Sequence, residues 1–267
     1  AGTKIVIHQN AVMLQDGDKD SEAEIGTSIG STAQGSAAAM VRKIARDTES
    51  RTIVRDTMPN SFAYGYQGKE VTIVVAPPAE YSRILYEAES ILAEGAQGFS
   101  LGINEQFYPY CTSRDCTPTR FMADMAIPHR MLKTVVGTCR SYPIRVGGNS
   151  GGCYPDQVEL EWSSIGVKPE LTTVTKKQRR LFSFSGLQIQ DAIAACQPDM
   201  VFYNFANYDS LESTERNVSI IIDSLDHHSF ESQLDMFSPN IYVGVGPRHG
   251  DVITYGQYIS QNDRRLA

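Results

Sequence analysis

The sequence predicts an α/β fold: a single domain in which a largely parallel central sheet is flanked by helices. Five short apolar runs rich in β-branched residues recur along the chain, each bounded by Gly, Pro, Asn or Asp, which is typical of buried strands. Amphipathic helical stretches lie between these runs, and such alternation favours a parallel sheet. No internal repeat and no Gly/Ser-rich linker divides the 267 residues. One domain over residues 1–267 is therefore predicted.

The individual elements follow from residue spacing. One helix has apolar residues at i, i+3 and i+4 spacing, a second begins behind the start signal Pro77–Pro78, and a third places Ile189, Ala192 and Ile193 near one face. The predicted strands are Lys4–Leu14, Val71–Ala76, Thr134–Cys139, Met200–Phe205 and Ile241–Val245. The predicted helices are Ser36–Asp47, Ala79–Ser90 and Leu187–Cys196. Four long connections are where ligands are expected in such a fold: Ile25–Gly35, Glu94–Pro118, Arg145–Gln157 and Leu171–Arg180.

Charge and composition exclude several classes of protein. The chain has 24 basic and 31 acidic side chains and a net charge of −7, whereas nonspecific nucleic-acid binding depends on Lys and Arg that neutralise phosphates. No apolar run approaches the ~20 residues of a membrane helix, and the opening residues do not have the pattern of a signal peptide. The five cysteines lack paired CxxC spacing, so free thiols in a reducing compartment are expected rather than a metal site. We expect a cytoplasmic protein, in the host cell if it is viral, with no nucleic-acid partner and no membrane.

A segment of small residues, Ile29–Ser36, precedes the first predicted helix. Small side chains let backbone N–H groups approach an anion, and a helix N-terminus adds partial positive charge. Ser31 and Thr32 could add hydroxyl donors. The order GxxxxGK[ST] of a Walker loop is missing. The segment is therefore either an anion-binding loop or a capped helix after a Gly turn.

The run Thr172–Arg180 places three hydroxyl side chains beside four cations. Arginine pairs with carboxylates through a bidentate fork, while lysine supplies a point charge. The combination suits a dicarboxylate or phosphate ligand. A solvated charge run is the alternative, but the flanking apolar residues Leu171 and Leu181–Phe182 favour a binding loop.

Several ordered blocks resemble the adenylosuccinate synthetase family. The resemblance begins at Glu94–Gly98 and continues at Tyr108–Ser113. The other blocks follow in the family's order and cover most of the chain: Ile29–Thr32 with Arg46, Val136–Gly137, Ile144–Gly147, Thr172–Arg180 and Gly246–Pro247. Three further segments are similar to the phage branch of the family, the aminodeoxyadenylosuccinate synthases: Gly98–Leu101, Cys111–Pro118 and Phe182–Ser185.

The resemblance implies a fold related to P-loop NTPases and a two-step ligase reaction. A nucleoside triphosphate with Mg²⁺ phosphorylates O6 of a purine monophosphate, and the amine of L-aspartate then displaces that phosphate. The phage branch implies dGMP as acceptor and ATP or dATP as donor, for a diaminopurine precursor of DNA. Two alternatives stay open: an ordinary adenylosuccinate synthetase acting on IMP, and a nucleotide-binding homologue without catalysis.

The resemblance also implies site residues. Arg46 matches an arginine that reaches the phosphate from a neighbouring subunit, which implies a homodimer. The nucleoside monophosphate would be bound by Ser31, Thr32, Arg46, Gln97, Thr112, Arg145, Val146 and Gly147. Aspartate would be bound by Thr173, Thr175, Lys177 and Arg179. The triphosphate would be bound by Asn204, Ala206, Gly244, Gly246 and Pro247.

Two departures from the family pattern matter. Where the housekeeping enzymes read guanine with Lys-x-Asp, this chain has Asn204–Tyr208, and Ala206 cannot accept hydrogen bonds from guanine, so ATP or dATP is expected. A register shift that makes Asp209 the base reader is the alternative. The family's phosphate loop, general base and catalytic histidine precede the first block found here. We expect these groups upstream of Ala1 in a sequence that omits them, with no metal ligand in this segment; a catalytically incomplete protein is the alternative.

Overall fold

The computed structural model describes residues 4–23, 28–46, 52–66, 68–173, 176–228 and 240–266. The chain forms two compact units, one from Ala1–Glu94 and Met122–Ile127 and the other from Gly95–Phe121 and Pro128–Ala267. Each unit is described by itself below. That the whole chain is a single domain stays a prediction.

The first unit contains a mixed three-stranded sheet in the order β1-β3-β2. β1 pairs with β3 in parallel, and β2 pairs with β3 as an antiparallel hairpin. The two residues between β2 and β3 are too few for the crossover that a parallel pair needs, so this pair is antiparallel. Its elements are β1 (Lys4–His8), α1 (Asp16–Ser21), α2 (Ser36–Ala45), β2 (Ser61–Tyr66), β3 (Lys69–Ala76) and α3 (Pro78–Glu87). In the short helix α4 (Pro118–Asp124), the residues up to Phe121 belong to the second unit and those from Met122 to the first.

The second unit contains a four-stranded sheet in the order β10-β9-β8-β4, in which β4, β8 and β9 are parallel and β10 is antiparallel. A small antiparallel sheet in the order β5-β7-β6 completes it. The strands are β4 (Val136–Arg140), β5 (Ile144–Arg145), β6 (Glu159–Leu160), β7 (Arg180–Phe182), β8 (Met200–Asn204), β9 (Asn240–Gly244) and β10 (Val252–Thr254). The helices are α5 (Gly186–Cys196), α6 (Leu211–His228) and α7 (Tyr255–Leu266).

One hydrophobic cluster supports the four-stranded sheet. Alternate residues of β8 and β9, such as Tyr203 and Val243, are completely buried, as the two-residue period of a strand requires. From α6 the cluster receives Val218, Ile221 and Leu225, which lie on one helix face at i, i+3 and i+7 spacing. This packing holds the carboxyl ends of the parallel strands at one edge of the sheet, where ligands bind in open α/β folds.

The α/β class is confirmed, and all five predicted strands and all three predicted helices are found, with shifted ends. The prediction Lys4–Leu14 was too long, because the carbonyl of His8 accepts the N–H of Ala11 at 2.8 Å and turns the chain. The sheets are mixed rather than one largely parallel sheet. Short hairpins such as β2–β3 add antiparallel strands, which were not predicted from the sequence. None of the described helices is long and apolar enough to cross a membrane.

Candidate functional site

The small-residue segment of the first unit forms a tight loop that leads into α2. The hydroxyl of Ser31 accepts the N–H of Ala33 at 3.2 Å, and the amide of Gln34 donates to the carbonyl of Thr32 at 2.7 Å. Gly35 has φ of 83°, and a Cβ there would lie 2.6 Å from the Cβ of Asp18. Only glycine combines this left-handed conformation with so close an approach. The Ser31–Thr32 loop is therefore held in one shape.

The N-terminus of α2 binds a carboxylate of the protein itself. Glu22, which is 5% exposed, accepts the N–H groups of Gly35 at 2.7 Å, Ala37 at 2.6 Å and Ala38 at 3.0 Å. An anion at this helix end is what the sequence pattern favours, since the first amides of a helix lack intrahelical partners. The anion is Glu22, so the remaining polar groups of the loop available to a ligand belong to Ser31 and Thr32.

Replacing Glu22 by alanine should destabilise the protein by about 1–3 kcal/mol, because three N–H groups at the start of α2 lose their acceptor. Asp20→Ala is the matched control, since Asp20 is an exposed acid on α1. Chemical denaturation of both variants measures the difference. Equal stability of the two variants would contradict the capping role of Glu22.

Arg46 ends α2 as its C-cap, with φ of 56°, and its side chain is exposed. Lys43, one turn earlier, donates to the carbonyl of Asn10 at 2.6 Å, and Arg42 pairs with the buried Asp18. The neighbouring cations are thus used within the unit, whereas Arg46 extends into solvent. Ser31, Thr32 and Arg46 all belong to the first unit.

The Thr172–Arg180 run forms a closed loop in the second unit. The N–H of Thr172 donates to the carbonyl of Lys177 at 2.9 Å, and its hydroxyl accepts the N–H of Lys177 at 3.0 Å. Further down, the N–H of Arg179 donates to the carbonyl of Glu170 at 2.9 Å. Thr173 and Lys177 are exposed near the tip of this loop. Thr175, the other predicted hydroxyl, lies outside the described residues.

Two predicted subsites meet at Gly147. A Cβ on Gly147 would lie 2.3 Å from the carbonyl oxygen of Gln178, so the two backbones are in direct contact. The pairing of β5 with β7 sets this register by placing Arg145 opposite Arg180. The structure therefore brings Gly147 beside Gln178 and Lys177.

Arg145 points into the protein. It is 7% exposed, its guanidinium carbon lies 3.8 Å from the ring centre of Phe107, and it donates to the carbonyl of Gly152. Burial, and then the charge of Arg180, lowers the pKa of Arg145 to about 10, so it stays charged at neutral pH. Arg145 therefore holds the predicted sugar-binding segment in place from within the protein. Gly147 is the residue of that segment that contacts the Thr172–Arg180 loop.

The two adjacent arginines of the run differ in their environment. Arg180 donates to both carboxylate oxygens of Glu159 at 2.7 and 2.6 Å, to the hydroxyl of Ser150 at 3.0 Å and to the carbonyl of Gly151 at 2.7 Å. Its hydrogen bonds hold the pKa of Glu159 below the usual value. No hydrogen bond or ion pair joins the side chain of Arg179 to another described residue. Of the two arginines, only Arg180 is held by side-chain hydrogen bonds to described residues.

Gln97 and Thr112 lie in the segment Glu94–Pro118 of the second unit. Gln97 is exposed and has φ of 64°, a left-handed conformation that a non-glycine residue seldom adopts. The N–H of Thr112 donates to the carbonyl of Leu101 at 2.9 Å. The ring of Tyr110 lies 2.8 Å from where a Cβ of Gly151 would be, so this segment packs on the Gly148–Gly152 turn.

The predicted triphosphate residues meet where β8 and β9 end. The amide oxygen of Asn204 lies 2.9 Å from where a Cβ of Gly244 would be. Asp251 closes the following turn: its carboxylate accepts the N–H of Arg248 at 2.7 Å and lies 2.5 Å from where a Cβ of Gly246 would be. Pro247 is exposed in that turn. Ala206 is 2% exposed within the core, so its methyl group packs inward.

Asp209, the alternative base reader, is engaged inside the protein. Its carboxylate accepts the hydroxyl of Tyr203 at 3.1 Å, the hydroxyl of Tyr142 at 3.3 Å and the amide of Asn217 at 3.3 Å. Burial, and then Asp209, raises the pKa of Tyr142. Binding a base would require Asp209 to give up these bonds, which disfavours the register-shift alternative.

Sequence reasoning missed three residues that hold the site together: Glu22, Phe107 and Arg140. Arg140 follows the predicted strand Thr134–Cys139 directly, and the carboxyl end of a parallel strand is where a functional side chain is expected, so a signal was present. Glu22 and Phe107 have no local signal, because their partners Gly35 and Arg145 are remote in sequence.

The chain is similar to a set of phage enzymes. The sequence model of the family described as adenylosuccinate synthetase matches residues 61–221. The N6-succino-2-amino-2′-deoxyadenylate synthase of Vibrio phage phiVC8 is 50% identical over 249 residues, which cover 93% of this chain and 69% of the phage protein. The protein of the same name from Acinetobacter phage SH-Ab 15497 is 41% identical over 247 residues, covering 83% of this chain and 64% of its own.

A solved structure agrees with these relatives. The cyanophage S-2L succinoaminodeoxyadenylate synthetase, bound to dGMP and to dATP as an energy donor, matches with a TM-score of 0.78 and 34% identity. The match covers 95% of this chain and 69% of that chain. The chain thus spans about two thirds of the length of the relatives it matches.

Proposed function

Since this chain belongs to the adenylosuccinate synthetase family, as its sequence blocks predicted, we propose that it acts as a ligase that joins L-aspartate to dGMP at C6 of the purine. ATP or dATP is the energy donor, and the product is N6-succino-2-amino-2′-deoxyadenylate. The observation that carries the proposal is the contact of Gly147 with Gln178 in a chain 50% identical to a phage synthase. This contact supports a purine-monophosphate site next to a site for the two carboxylates of aspartate.

The proposed reaction has two steps. The terminal phosphoryl group of the triphosphate is transferred to O6 of dGMP, and ADP or dADP leaves. The amine of aspartate then attacks C6, the C–O bond breaks, and inorganic phosphate leaves with the oxygen. The attacking amine gives up one proton and keeps one N–H in the product. Both steps depend on holding charged reactants close together in a defined orientation, which is the contribution that positioned side chains make.

Aspartate is bound at the tip of the Thr172–Arg180 loop. Arg179 meets one carboxylate with its planar fork, and Lys177 adds a second cation. The hydroxyls of Thr173 and Thr175 donate to the remaining carboxylate oxygens. The direct contact of Gly147 with Gln178 supports an aspartate site next to the purine.

The nucleoside monophosphate is bound by an amide, several hydroxyl groups and a glycine-containing segment. Gln97 contacts the purine, because an amide offers both a donor and an acceptor. Ser31, Thr32 and Thr112 donate hydroxyl hydrogen bonds to the 5′-phosphate. Val146 and Gly147 line the sugar, where a site that refuses a 2′-hydroxyl is expected.

The triphosphate base is bound where Asn204 meets Gly244, with Gly246 and Pro247 in the adjoining turn. The loop after Asn204 presents no carboxylate at Ala206, and an acceptor for the N1–H and amino group of guanine is therefore lacking there. This supports ATP or dATP as donor over GTP.

A second copy of the chain completes the phosphate site. Arg46 is exposed at the end of α2, and in the proposed homodimer it reaches the 5′-phosphate of the partner subunit. Mg²⁺ accompanies the triphosphate. Among the described residues, no group of three His, Cys, Asp or Glu side chains could hold a metal ion. The enzyme works on small molecules in the host cytoplasm.

Turnover assays test the proposal. With L-aspartate, Mg²⁺ and dATP, we expect dGMP to yield a succinyl adduct, detected by mass, and IMP to yield little. Exchanging dATP for ATP should preserve turnover. Exchanging it for GTP should reduce turnover about 5- to 150-fold, because a mismatched buried hydrogen-bond partner costs about 1–3 kcal/mol. Preference for IMP would favour an ordinary adenylosuccinate synthetase. Binding of dGMP and dATP without an adduct would favour a non-catalytic homologue.

A further inference from the structure

Arg140 lies between two of the proposed subsites. It is the last residue of β4 and pairs in register with Asn204 of β8. Its guanidinium carbon lies 3.8 Å from the ring centre of Phe205, the residue that follows Asn204. A cation this close to an aromatic face is held by the ring quadrupole. The side chain of Arg140 thus contacts the loop assigned to the triphosphate.

The strained backbone conformation of Phe205 requires stabilising contacts from neighbouring residues. Its φ of 64° is left-handed, which is unfavourable for a residue with a Cβ. The hydroxyl of Ser141, which is 1% exposed, donates to the carbonyl of Phe205 at 2.8 Å. The N–H of Ser141 donates to the carbonyl of Asn204 at 3.0 Å. Ser141 therefore fixes the backbone of this loop, while Arg140 holds the ring.

Besides its contact with the Phe205 ring, the Arg140 guanidinium binds the carboxylate of Glu170. Nη2 donates to Oε1 at 2.5 Å, and Nη1 lies 3.5 Å from Oε2. The carbonyl of Glu170 accepts the N–H of Arg179, the proposed aspartate ligand. Glu170 thus lies at the base of the aspartate loop, and Arg140 contacts both the triphosphate loop and the residue that anchors the aspartate loop.

The Arg140–Glu170 pair is partly withdrawn from water. The side chains of Arg140 and Glu170 are 23% and 32% exposed, and Nε of Arg140 is buried without a hydrogen-bond partner among the described residues. A partly desolvated pair is screened less than a surface pair and has a more defined geometry. The Arg140 side chain therefore couples the position of the Phe205 ring to the position of the Glu170 carboxylate.

We propose that Arg140 is a positioning residue that couples the triphosphate loop, Asn204–Tyr208, to the aspartate loop, Leu171–Arg180. The inference rests on the proposed function. A donor nucleotide that orders Phe205 orders Glu170 and Arg179 through Arg140, so each ligand strengthens the binding of the other. Such linkage is reciprocal: both affinities change by the same factor.

Calorimetry on the full chain without dGMP, so that no turnover occurs, tests the coupling. L-aspartate is titrated with and without saturating dATP and Mg²⁺, and dATP with and without aspartate. In the wild type, each ligand should tighten the other at least about fivefold. Arg140→Met and Glu170→Gln should bring this factor close to one. Arg140→Lys keeps the charge without the planar fork and should restore only part of the coupling.

The control is Arg83→Met, which removes the exposed Arg83–Glu87 pair on α3 and should leave the coupling factor unchanged. Thermal denaturation identifies any variant that fails to fold, and Glu170→Gln or Arg140→Lys then replaces Arg140→Met. A coupling factor that survives in the folded variants overturns the inference, and so does independent binding of both ligands to the wild type. If the wild type binds neither ligand, the proposed function fails as well.

Discussion

Arg179→Met is expected to lower kcat/KM for L-aspartate by about 10- to 150-fold, the effect of losing one charge-assisted hydrogen bond of about 1.5–3 kcal/mol. The fold should tolerate the change, because the backbone of Arg179 is held independently of its side chain. Its N–H donates to the carbonyl of Glu170 at 2.9 Å, and its carbonyl accepts the indole N–H of Trp162 at 2.7 Å. Steady-state kinetics with varied aspartate measure the effect.

Arg180→Met is the matched control for this variant. It removes the four hydrogen bonds that Arg180 donates to Glu159, Ser150 and Gly151. It should destabilise the protein by about 1–3 kcal/mol, since partly buried acceptors lose their donor. Chemical denaturation should therefore separate the two neighbours: stability falls for position 180 and is unchanged for position 179. A kcat/KM for aspartate that is unaffected by Arg179→Met would remove Arg179 from the site.

Gly147→Ala is expected to lower kcat/KM for both dGMP and aspartate by about 100-fold, the effect of a displacement of about 1 Å in a reacting geometry. The added methyl would lie 2.3 Å from the carbonyl oxygen of Gln178, and a backbone atom cannot rotate away as a side chain can. To relieve this clash, the loop Leu171–Arg180 has to move away from Gly147. Stability should also fall by about 1–3 kcal/mol.

Gly152→Ala is the control for this change, because a Cβ there would meet no atom within 4 Å. It is the same substitution in the same connection, and both activity and stability should stay close to wild type. Kinetics with each substrate varied in turn, together with urea denaturation, measure both variants. Equal activity of the two would show that the contact at Gly147 does not position the reactants.

The regular elements and the order of the family blocks could be predicted from the sequence. Strands such as Val71–Ala76 could be predicted because strands buried in a sheet consist of short apolar runs. Helices could be predicted because apolar residues on one helix face recur every three to four positions. The hairpin strand β2 was missed, since its short connection to β3 carries little signal in one sequence. The candidate residues of the site were located by motif, but their surroundings were not.

By itself, the sequence determined the α/β class, the position of the long connections and the residue types available for binding anions, because these depend on neighbours along the chain. The tertiary structure decided which of those residues are available. Arg180 is bound by Glu159 and Arg140 by Glu170, partners 21 and 30 residues away. Glu22, not a ligand, fills the end of α2 from 13 residues away. Hydrogen bonds between segments that are remote in sequence depend on how those segments pack. The local spacing of residue types along the sequence does not predict that packing.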